Sequence, residues 1–168
     1  IGHQLTNISA LKSLPELRNL NLSWNSLTTL SLNPLLKLTK LDTLTLSHNN
    51  IDKIPAEFSS LRNLKILRLS GNPISDRAQF LKLKSNINLT NLDIEGSILS
   101  SNEDSLLFCV YILPQLSMIN RNFINTELRR CSAERFERKF ITDLNNQINE
   151  LSKELQTCKK DNDILRKK

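Results

Sequence analysis

The chain has 168 residues, of which 39% are hydrophobic and 24% charged, with a formal net charge of +6. These values are typical of a soluble globular protein with one core and an appendage. The positive charge permits an acidic partner without requiring one. The longest apolar run, Leu106–Leu113, spans eight residues, far fewer than the roughly 20 of a membrane helix. We therefore expect no membrane association.

The cysteines also limit the possible classes of protein. Cys109, Cys131 and Cys158 are an odd number, widely spaced, and form no C-x-x-C pair. This pattern argues against a disulfide scaffold and a zinc site, and it favours a reducing compartment. We expect neither a metal nor a cofactor.

The N-terminal two thirds of the chain contain an internal repeat. The segments LRNLNLSWNSL (Leu17–Leu27), LDTLTLSHNNI (Leu41–Ile51) and LKILRLSGNPI (Leu64–Ile74) all read L-x-x-L-x-L-x-x-N-x-[LI]. A fourth copy, Leu89–Leu99, keeps the apolar positions but replaces the asparagine with Ser97. The starts are 24, 23 and 25 residues apart. This is the pattern of leucine-rich repeats.

Each repeat predicts a short strand whose alternate leucines point inward. Stacked strands would bury a leucine column that no single repeat could bury alone. Asn25, Asn49 and Asn72 are expected to form a ladder that satisfies backbone groups where the chain leaves each strand. Leu5 and Ile8 fit the tail of a preceding repeat, so we expect the chain to start within a repeat.

A closing segment follows the repeats. Residues 108–124, FCVYILPQLSMINRNFI, give an apolar run and then a degenerate strand, Leu116–Ile119. This resembles the C-terminal cap of intracellular leucine-rich repeat proteins of the protein phosphatase-1 regulator-like class. The resemblance covers roughly Leu5–Phe140. It implies an α/β solenoid, a right-handed leucine-rich repeat horseshoe with its C-terminal cap over residues 1–125, in the cytoplasm, since no cysteine-rich extracellular cap is present.

Residues 126–140 predict a helix that packs on the cap. No proline or glycine occurs after Asn125, and Asn125 or Thr126 could cap the helix, with Glu127 in its first turn. Apolar residues recur at helical spacing, and we interpret Cys131 as a small core residue. These apolar residues are Leu128, Cys131, Phe136 and Phe140.

Residues 141–168 continue as a heptad repeat, which predicts a long α-helix in a coiled coil. Asn162 falls at an a position, where an amide pairs with its own copy in a parallel two-stranded coil. Glu154 would then meet Lys159 of the other copy, and Asp161 would meet Arg166. We predict a parallel homodimer, while an antiparallel or different partner helix, or an Asn162 that specifies nothing at a fraying end, stays open. The dimerisation residues are Ile141, Leu144, Ile148, Leu151, Leu155, Cys158, Asn162 and Leu165.

The sequence offers no catalytic constellation. It has two histidines, His3 and His48, and the repeat geometry places neither an orienting carboxylate nor a nucleophile beside His48. No phosphate loop, dinucleotide motif, metalloprotease motif or calcium loop occurs. We therefore predict that the protein is not an enzyme.

The remaining candidate is the concave face, by which we mean the outward strand residues and the turn residues directly after them. In the family this face binds proteins, and Trp24 is a favoured interface residue, although it could instead simply pack against His48 and a loop. The face drifts from neutral to acidic and lacks a basic stripe, so we do not expect nucleic acid on it. The candidate residues are Asn21, Ser23, Trp24, Thr45, Ser47, His48, Arg68, Asp93 and Glu95.

These predictions combine into a dimeric adaptor that binds a protein partner. The order of repeats, cap and heptads resembles that of centrosomal and ciliary proteins, which implies a cytoskeletal scaffold. Two alternatives stay open. The basic helix surface could bind an acidic polymer such as tubulin or nucleic acid, or the concave face could dock an enzyme, as in phosphatase regulators.

Overall fold

The computed structural model describes residues 5–97, 99 and 102–166, and for residues 139, 140, 143, 144 and 156–166 it describes the backbone alone. The chain divides into two compact units, Ile1–Ser132 and Ala133–Lys168. The first contains the repeats and their cap, and the second continues the C-terminal helix.

One six-stranded sheet organises the first unit, with its strands side by side in chain order. Paired residues are offset by the repeat spacing: Asn19 lies beside Thr43, which lies beside Ile66. The first five strands are parallel and the last pair is antiparallel. The predicted solenoid is thus confirmed. The strands are β1 (Asn19–Asn21), β2 (Thr43–Thr45), β3 (Ile66–Arg68), β4 (Asn91–Asp93), β5 (Met118–Ile119) and β6 (Asn122–Phe123).

The leucine column forms the core behind this sheet. Leu44 and Leu46 in one repeat, and Leu67 and Leu69 in the next, are almost wholly buried. Burying one such side chain stabilises the fold by about 1.5–3 kcal/mol. Because each leucine packs against its copies in neighbouring repeats, the stack is held together along its length.

The asparagine ladder is also present. Asn49 Nδ2 donates to the carbonyl oxygens of Leu22 (3.0 Å) and Leu46 (2.9 Å), and its Oδ1 accepts from the Leu27 amide (3.0 Å). Asn72 repeats this pattern one repeat later. Each amide therefore ties its own turn to the preceding repeat, which satisfies backbone groups that the strands leave unpaired.

The side of the solenoid opposite the sheet consists of 3-10 turns. Pro34 lies inside the second of them and Asp76 caps the fourth, its side chain accepting from the Ala78 amide (2.8 Å). Phe58 and Phe80 are fully buried behind these turns, a role that the repeat pattern does not reveal. The four segments are Ser9–Ser13, Thr29–Lys37, Ala56–Ser60 and Arg77–Leu83.

The predicted cap is confirmed as a helix followed by a hairpin. Helix α1 spans Glu103–Ile112, and the Asn102 side chain caps it by accepting from the Asp104 amide (2.9 Å). The chain then enters β5 and returns through β6. Asn120 and Arg121 form the two-residue turn between them, with φ of +48° and +66°. Positive φ at both turn positions is the type I′ geometry, which matches the twist of a hairpin.

Helix α2 spans Thr126–Arg166. Asn125 caps it, since its Oδ1 accepts from the Leu128 amide (2.8 Å). Leu128 packs on the core, and the Arg129 guanidinium donates to the Leu116 carbonyl. The start of α2 thus closes the first unit, whereas packing of the whole 126–140 segment on the cap stays a prediction.

Candidate functional site

The strand register brings the predicted partner-binding residues into one row. Asn21, Thr45, Arg68 and Asp93 lie side by side across β1 to β4. Asn21 and Arg68 are exposed and Thr45 is half-buried. The row therefore presents small polar groups at one end and a cation near the other, and a partner could contact both.

The structure buries two of the predicted residues, Ser47 and Asp93. Ser47 accepts a hydrogen bond at its Oγ from Ser70 Oγ (2.8 Å), which joins two neighbouring repeats. Asp93 is only 4% exposed, and its Oδ1 accepts from the Glu95 amide (3.1 Å). Each side chain is turned toward its neighbours, and a role of Ser47 and Asp93 in partner binding stays a prediction.

Asn21 and Ser23 form a small turn like that of Asp93 and Glu95, in which a side-chain oxygen accepts from the amide two residues later. Asn21 Oδ1 accepts from both the amide (3.0 Å) and the hydroxyl (2.7 Å) of Ser23. Asp93 and Glu95 occupy the equivalent positions in the fourth repeat. A side-chain acceptor two residues before the turn thus shapes the end of both strands, and Ser23 remains half-buried while Glu95 is exposed.

An aromatic pair lies where the first two strands end. The rings of Trp24 and His48 stack with centroids 3.8 Å apart and an angle of 13° between their planes. Trp24 nevertheless remains 56% exposed. The structure therefore shows the packing of Trp24 on His48 and also leaves tryptophan surface for a partner. We call Trp24 and His48 the aromatic platform.

The platform lies on a backbone that only glycine adopts easily. Trp24 and His48 have φ of +59° and +55°, and the equivalent glycines, Gly71 and Gly96, have +67° and +68°. A left-handed residue with a Cβ costs about 1–2 kcal/mol. Gly71 also makes room for the platform, because a Cβ there would lie 2.4 Å from His48 Nδ1.

A pocket opens at the other end of the concave face. Its volume is about 60 Å³, and Arg68, Asp93, Met118 and Arg121 are among its lining residues. Asp93 Oδ2 lies 3.4 Å from Arg121 Nε. Sequence reasoning missed Arg121, and it missed Phe123, which pairs with Met118 across the hairpin and is 79% exposed. The turn Asn120-Arg121 lacks the glycine that usually signals such a hairpin.

The predicted dimerisation stripe is exposed where the structure describes it. Four apolar side chains of α2 are each 52–63% exposed: Ile141, Ile148, Leu151 and Leu155. The side chains of the other four, Leu144, Cys158, Asn162 and Leu165, lie outside the described residues. Their roles stay predictions.

Two other kinds of site are absent from the part of the chain that the structure describes. No helix in that part is long and apolar enough to cross a membrane. No group of three or more histidine, cysteine or acidic side chains in the described ranges could hold a metal ion.

Residues 15–74 match the model of the family described as leucine rich repeat. No curated protein matches the chain.

Solved structures share the fold. A chain of the SNF/U2A' complex of Drosophila melanogaster has 22% identity and a TM-score of 0.71, covering 87% of this chain and 84% of that one. A leucine-rich repeat protein of Leptospira interrogans has 27% identity and a TM-score of 0.56, covering 68% and 28%. An internalin of Listeria monocytogenes has 25% identity and a TM-score of 0.55, and the match covers 69% of this chain and 32% of the internalin.

None of these three is a phosphatase regulator or a centrosomal protein, so neither resemblance gains support from them. The match covers 28% of the Leptospira chain and 32% of the Listeria chain, so each is more than three times as long as its matching part. The repeats, the register of the sheet and the family match nonetheless agree that residues 15–74 are leucine-rich repeats.

Proposed function

We propose that the chain is a non-catalytic adaptor whose concave face binds a protein partner and whose C-terminal helix joins two copies in parallel. The aromatic platform carries the first half of this proposal. Trp24 remains 56% exposed on a left-handed backbone. Strained conformations of this kind cluster at binding sites, and tryptophan is enriched among the residues that dominate interface energies.

The rest of the concave face suits a protein surface. Asn21 and Thr45 are small and polar, so a partner can approach the sheet closely between the platform and Arg68. The similar chain in the SNF/U2A' complex is an example of this fold within an assembly. At 22% identity that likeness concerns the fold, so the identity of the partner does not follow from it.

Binding through this face can be tested with the full chain as bait. Thr45→Arg would insert a long cation into the row, and Trp24→Ala would remove the platform. We expect each change to abolish retention of the proteins that the unmodified chain captures. Ser85→Arg adds the same charge at an exposed position away from the sheet and should leave retention unchanged. Equal retention by all variants would contradict the proposal.

The second half of the proposal assigns a second copy of the chain to the exposed stripe on α2. Ile141, Ile148, Leu151 and Leu155 follow a heptad spacing, which suits a straight seam between two helices. Burying each such side chain would contribute at most about 1.5–3 kcal/mol. Asn162 and the charge pairs predicted from the sequence favour a parallel, in-register arrangement over other pairings.

Sedimentation equilibrium with the full chain tests the pairing. We expect a dimer, and a monomer for the double variant Ile148→Glu/Leu151→Glu, because four carboxylates would meet in one apolar seam. Asn146→Glu introduces the same charge at a position predicted to face outward and should remain dimeric. A monomeric unmodified chain at high micromolar concentration would overturn this half of the proposal.

Cross-linking through Cys158 tests whether the two helices of the proposed dimer run parallel. In a parallel in-register coil the two Cys158 residues face each other at a d position, close enough for a disulfide. We expect mild oxidation to produce a cross-linked dimer of the unmodified chain and of the Cys131→Ser variant, but not of the Cys158→Ser variant. A dimer that does not cross-link would indicate antiparallel helices. Burial raises the pKa of the Cys109 thiol to about 12, so that residue should not react.

Location in the cytoplasm, on a cytoskeletal structure, belongs to the same proposal. The resemblance of the cap to intracellular repeat proteins and the order of repeats and heptads support it. Fluorescence microscopy of the tagged chain should show a focus at the centrosome or the base of a cilium. A secreted protein, or one spread evenly through the cell, would count against it.

A further inference from the structure

The pocket at the C-terminal end of the concave face has a charged floor. Asp93 is 4% exposed, and its Oδ1 is already used by the Glu95 amide. Its Oδ2 has no hydrogen-bond partner within the described residues, although Arg121 Nε lies 3.4 Å away. That distance exceeds the 2.7–2.9 Å of a charge-assisted hydrogen bond. The buried carboxylate therefore orients Arg121 while leaving the guanidinium most of its donors.

The charged side chains that line the pocket carry more hydrogen-bond donors than acceptors. Arg68 and Arg121 both line it, and each guanidinium carries five N–H groups. Arg68 is exposed and forms no ion pair with any described residue. Asp93 supplies the only negative charge among the lining residues, so the net charge of the lining is positive. An anionic acceptor from outside would satisfy this surplus.

The rim beside the two arginines is apolar. Ile66 and Met118 are half-buried on the same face, and Met118 pairs across the hairpin with Phe123, which is 79% exposed. A volume of about 60 Å³ holds only a few water-sized groups. The pocket thus fits the end of one small side chain, with an apolar group beside it.

We propose that this pocket receives the carboxylate of an aspartate or glutamate of the protein partner, and that an apolar neighbour of that residue packs on Met118 and Phe123. This rests on the proposed function of the concave face. Planar guanidinium groups bind carboxylates with two parallel hydrogen bonds. A nucleic-acid backbone fits less well, since its successive phosphates would pass the carboxylates of Asp93 and Glu95.

A library of random peptides displayed on phage and selected on the full chain provides the probe. We expect enriched peptides to share an acidic residue next to an apolar one. Changing that acid to its amide, or changing Arg68→Gln, should each raise the dissociation constant about tenfold, or 1.4 kcal/mol. The two changes together should add little more, because they remove the same contact. Arg62→Gln removes an exposed cation elsewhere and should have no effect.

Arg121→Gln should act like Arg68→Gln, but it also leaves Asp93 without its ion pair, so its folding must be checked by circular dichroism. Exposed Arg68 keeps the test valid if that variant does not fold. Peptides without an acid whose binding is lost with Thr45→Arg would overturn the pocket and leave the proposed function intact. Peptides whose binding is unchanged by Thr45→Arg, Trp24→Ala and Arg68→Gln would count against both the pocket and the proposed function. A selection that enriches no peptide would count against both as well. Salt-sensitive binding of oligouridylate that falls with Arg68→Gln would overturn the carboxylate in favour of phosphate.

Discussion

The repeat unit and the C-terminal helix use similar aliphatic residues with opposite results. In the repeats, Leu44 and Leu67 follow the alternation of a strand and are fully buried by neighbouring repeats. In α2, Ile148 and Leu151 follow a heptad and are more than half exposed. The apolar residues of the repeats are thus covered within the chain, whereas those of α2 are not covered by any described residue, and we propose that a second copy covers them.

The difference has an energetic meaning. Burial within one chain stabilises the fold at any protein concentration, whereas burial between two chains stabilises it only when they associate. The first unit should thus behave as a folded domain with fixed stability. The stability of α2 should depend on concentration if the proposed dimer forms.

The sharpest test of this contrast replaces one leucine in each region. Leu67→Ala opens a cavity between repeats and should lower the free energy of unfolding by about 4 kcal/mol, independent of concentration. Leu151→Ala should change the urea midpoint of the repeat unit very little and raise the dissociation constant of the dimer at least about tenfold. Urea unfolding at two protein concentrations, followed by sedimentation, distinguishes the two effects.

The contrast would fail if both variants unfolded at the same urea concentration. It would also fail if the unfolding of Leu67→Ala depended on protein concentration. Either result would mean that the repeats depend on a second chain as much as the helix does.

The asparagine ladder gives the next largest effect. Asn72→Ala would leave the Leu69 carbonyl and the Ile51 amide without their side-chain partner, whereas the Leu46 carbonyl would keep the bond from Asn49. We expect a loss of about 3 kcal/mol in the free energy of unfolding, since buried polar groups without partners cost about 1–3 kcal/mol each.

Asn63→Ala is the matched control, because that exposed side chain donates to a single carbonyl, that of Thr39. It should cost no more than about 1 kcal/mol. Equal urea midpoints for the two variants would show that the ladder adds no stability.

These buried features were predictable because the repeat imposes them. Each Leu and each Asn recurs at a fixed offset, and the strand register reproduces those offsets. A periodic pattern also fixes which residues share a face, so the concave row was found. The presence of a cap followed from its resemblance to known caps, although its helix begins at Glu103, five residues before the predicted segment.

What the repeat does not dictate was missed. Phe123 and Arg121 enter the concave face only because a hairpin turns the chain back, and that hairpin lacks a glycine signal. Ser47 and Asp93 were placed on the correct face, but their burial depends on side-chain contacts with Ser70 and Glu95 that a period cannot reveal.

The aromatic platform allows a test within the repeat unit. Gly71→Ala places a Cβ 2.4 Å from His48 Nδ1 at φ +67°, whereas Gly96→Ala places one 3.5 Å from the nearest atom at φ +68°. Both variants bear a left-handed backbone cost of about 1–2 kcal/mol. Only the first should also displace His48 and lose roughly 1 kcal/mol of stacking.

Trp24 reports this displacement directly, because it is the only tryptophan in the chain. We expect its fluorescence to change with Gly71→Ala and to stay constant with Gly96→Ala. Identical spectra for both variants would show that a Cβ at position 71 does not disturb the stacking of Trp24 on His48.

The smallest effect comes from the charges that link successive repeats. Asp42 pairs with Lys65 (3.2 Å) and Arg18 (3.3 Å), its counterparts in the next and previous repeats. A hydrogen bond from Lys65, aided by Arg18, lowers the pKa of Asp42. Its contribution to stability is therefore present above the ordinary pKa of 3.8 and is lost as the pH falls through the lowered value.

Asp42→Asn should reduce the urea midpoint slightly at pH 6 and low salt, since these charges lie at the surface. The difference from the unmodified chain should shrink as the pH falls through the lowered pKa of Asp42, because the carboxylate of the folded protein then becomes protonated. Glu57→Gln removes an exposed carboxylate that has no ion pair with any described residue, and it serves as the control. A difference in urea midpoint that persists unchanged at pH 2 would mean that Asp42 supports the repeats through packing. The ion pairs between repeats would then add no stability, and the repeat unit would differ from the helix by its buried core alone.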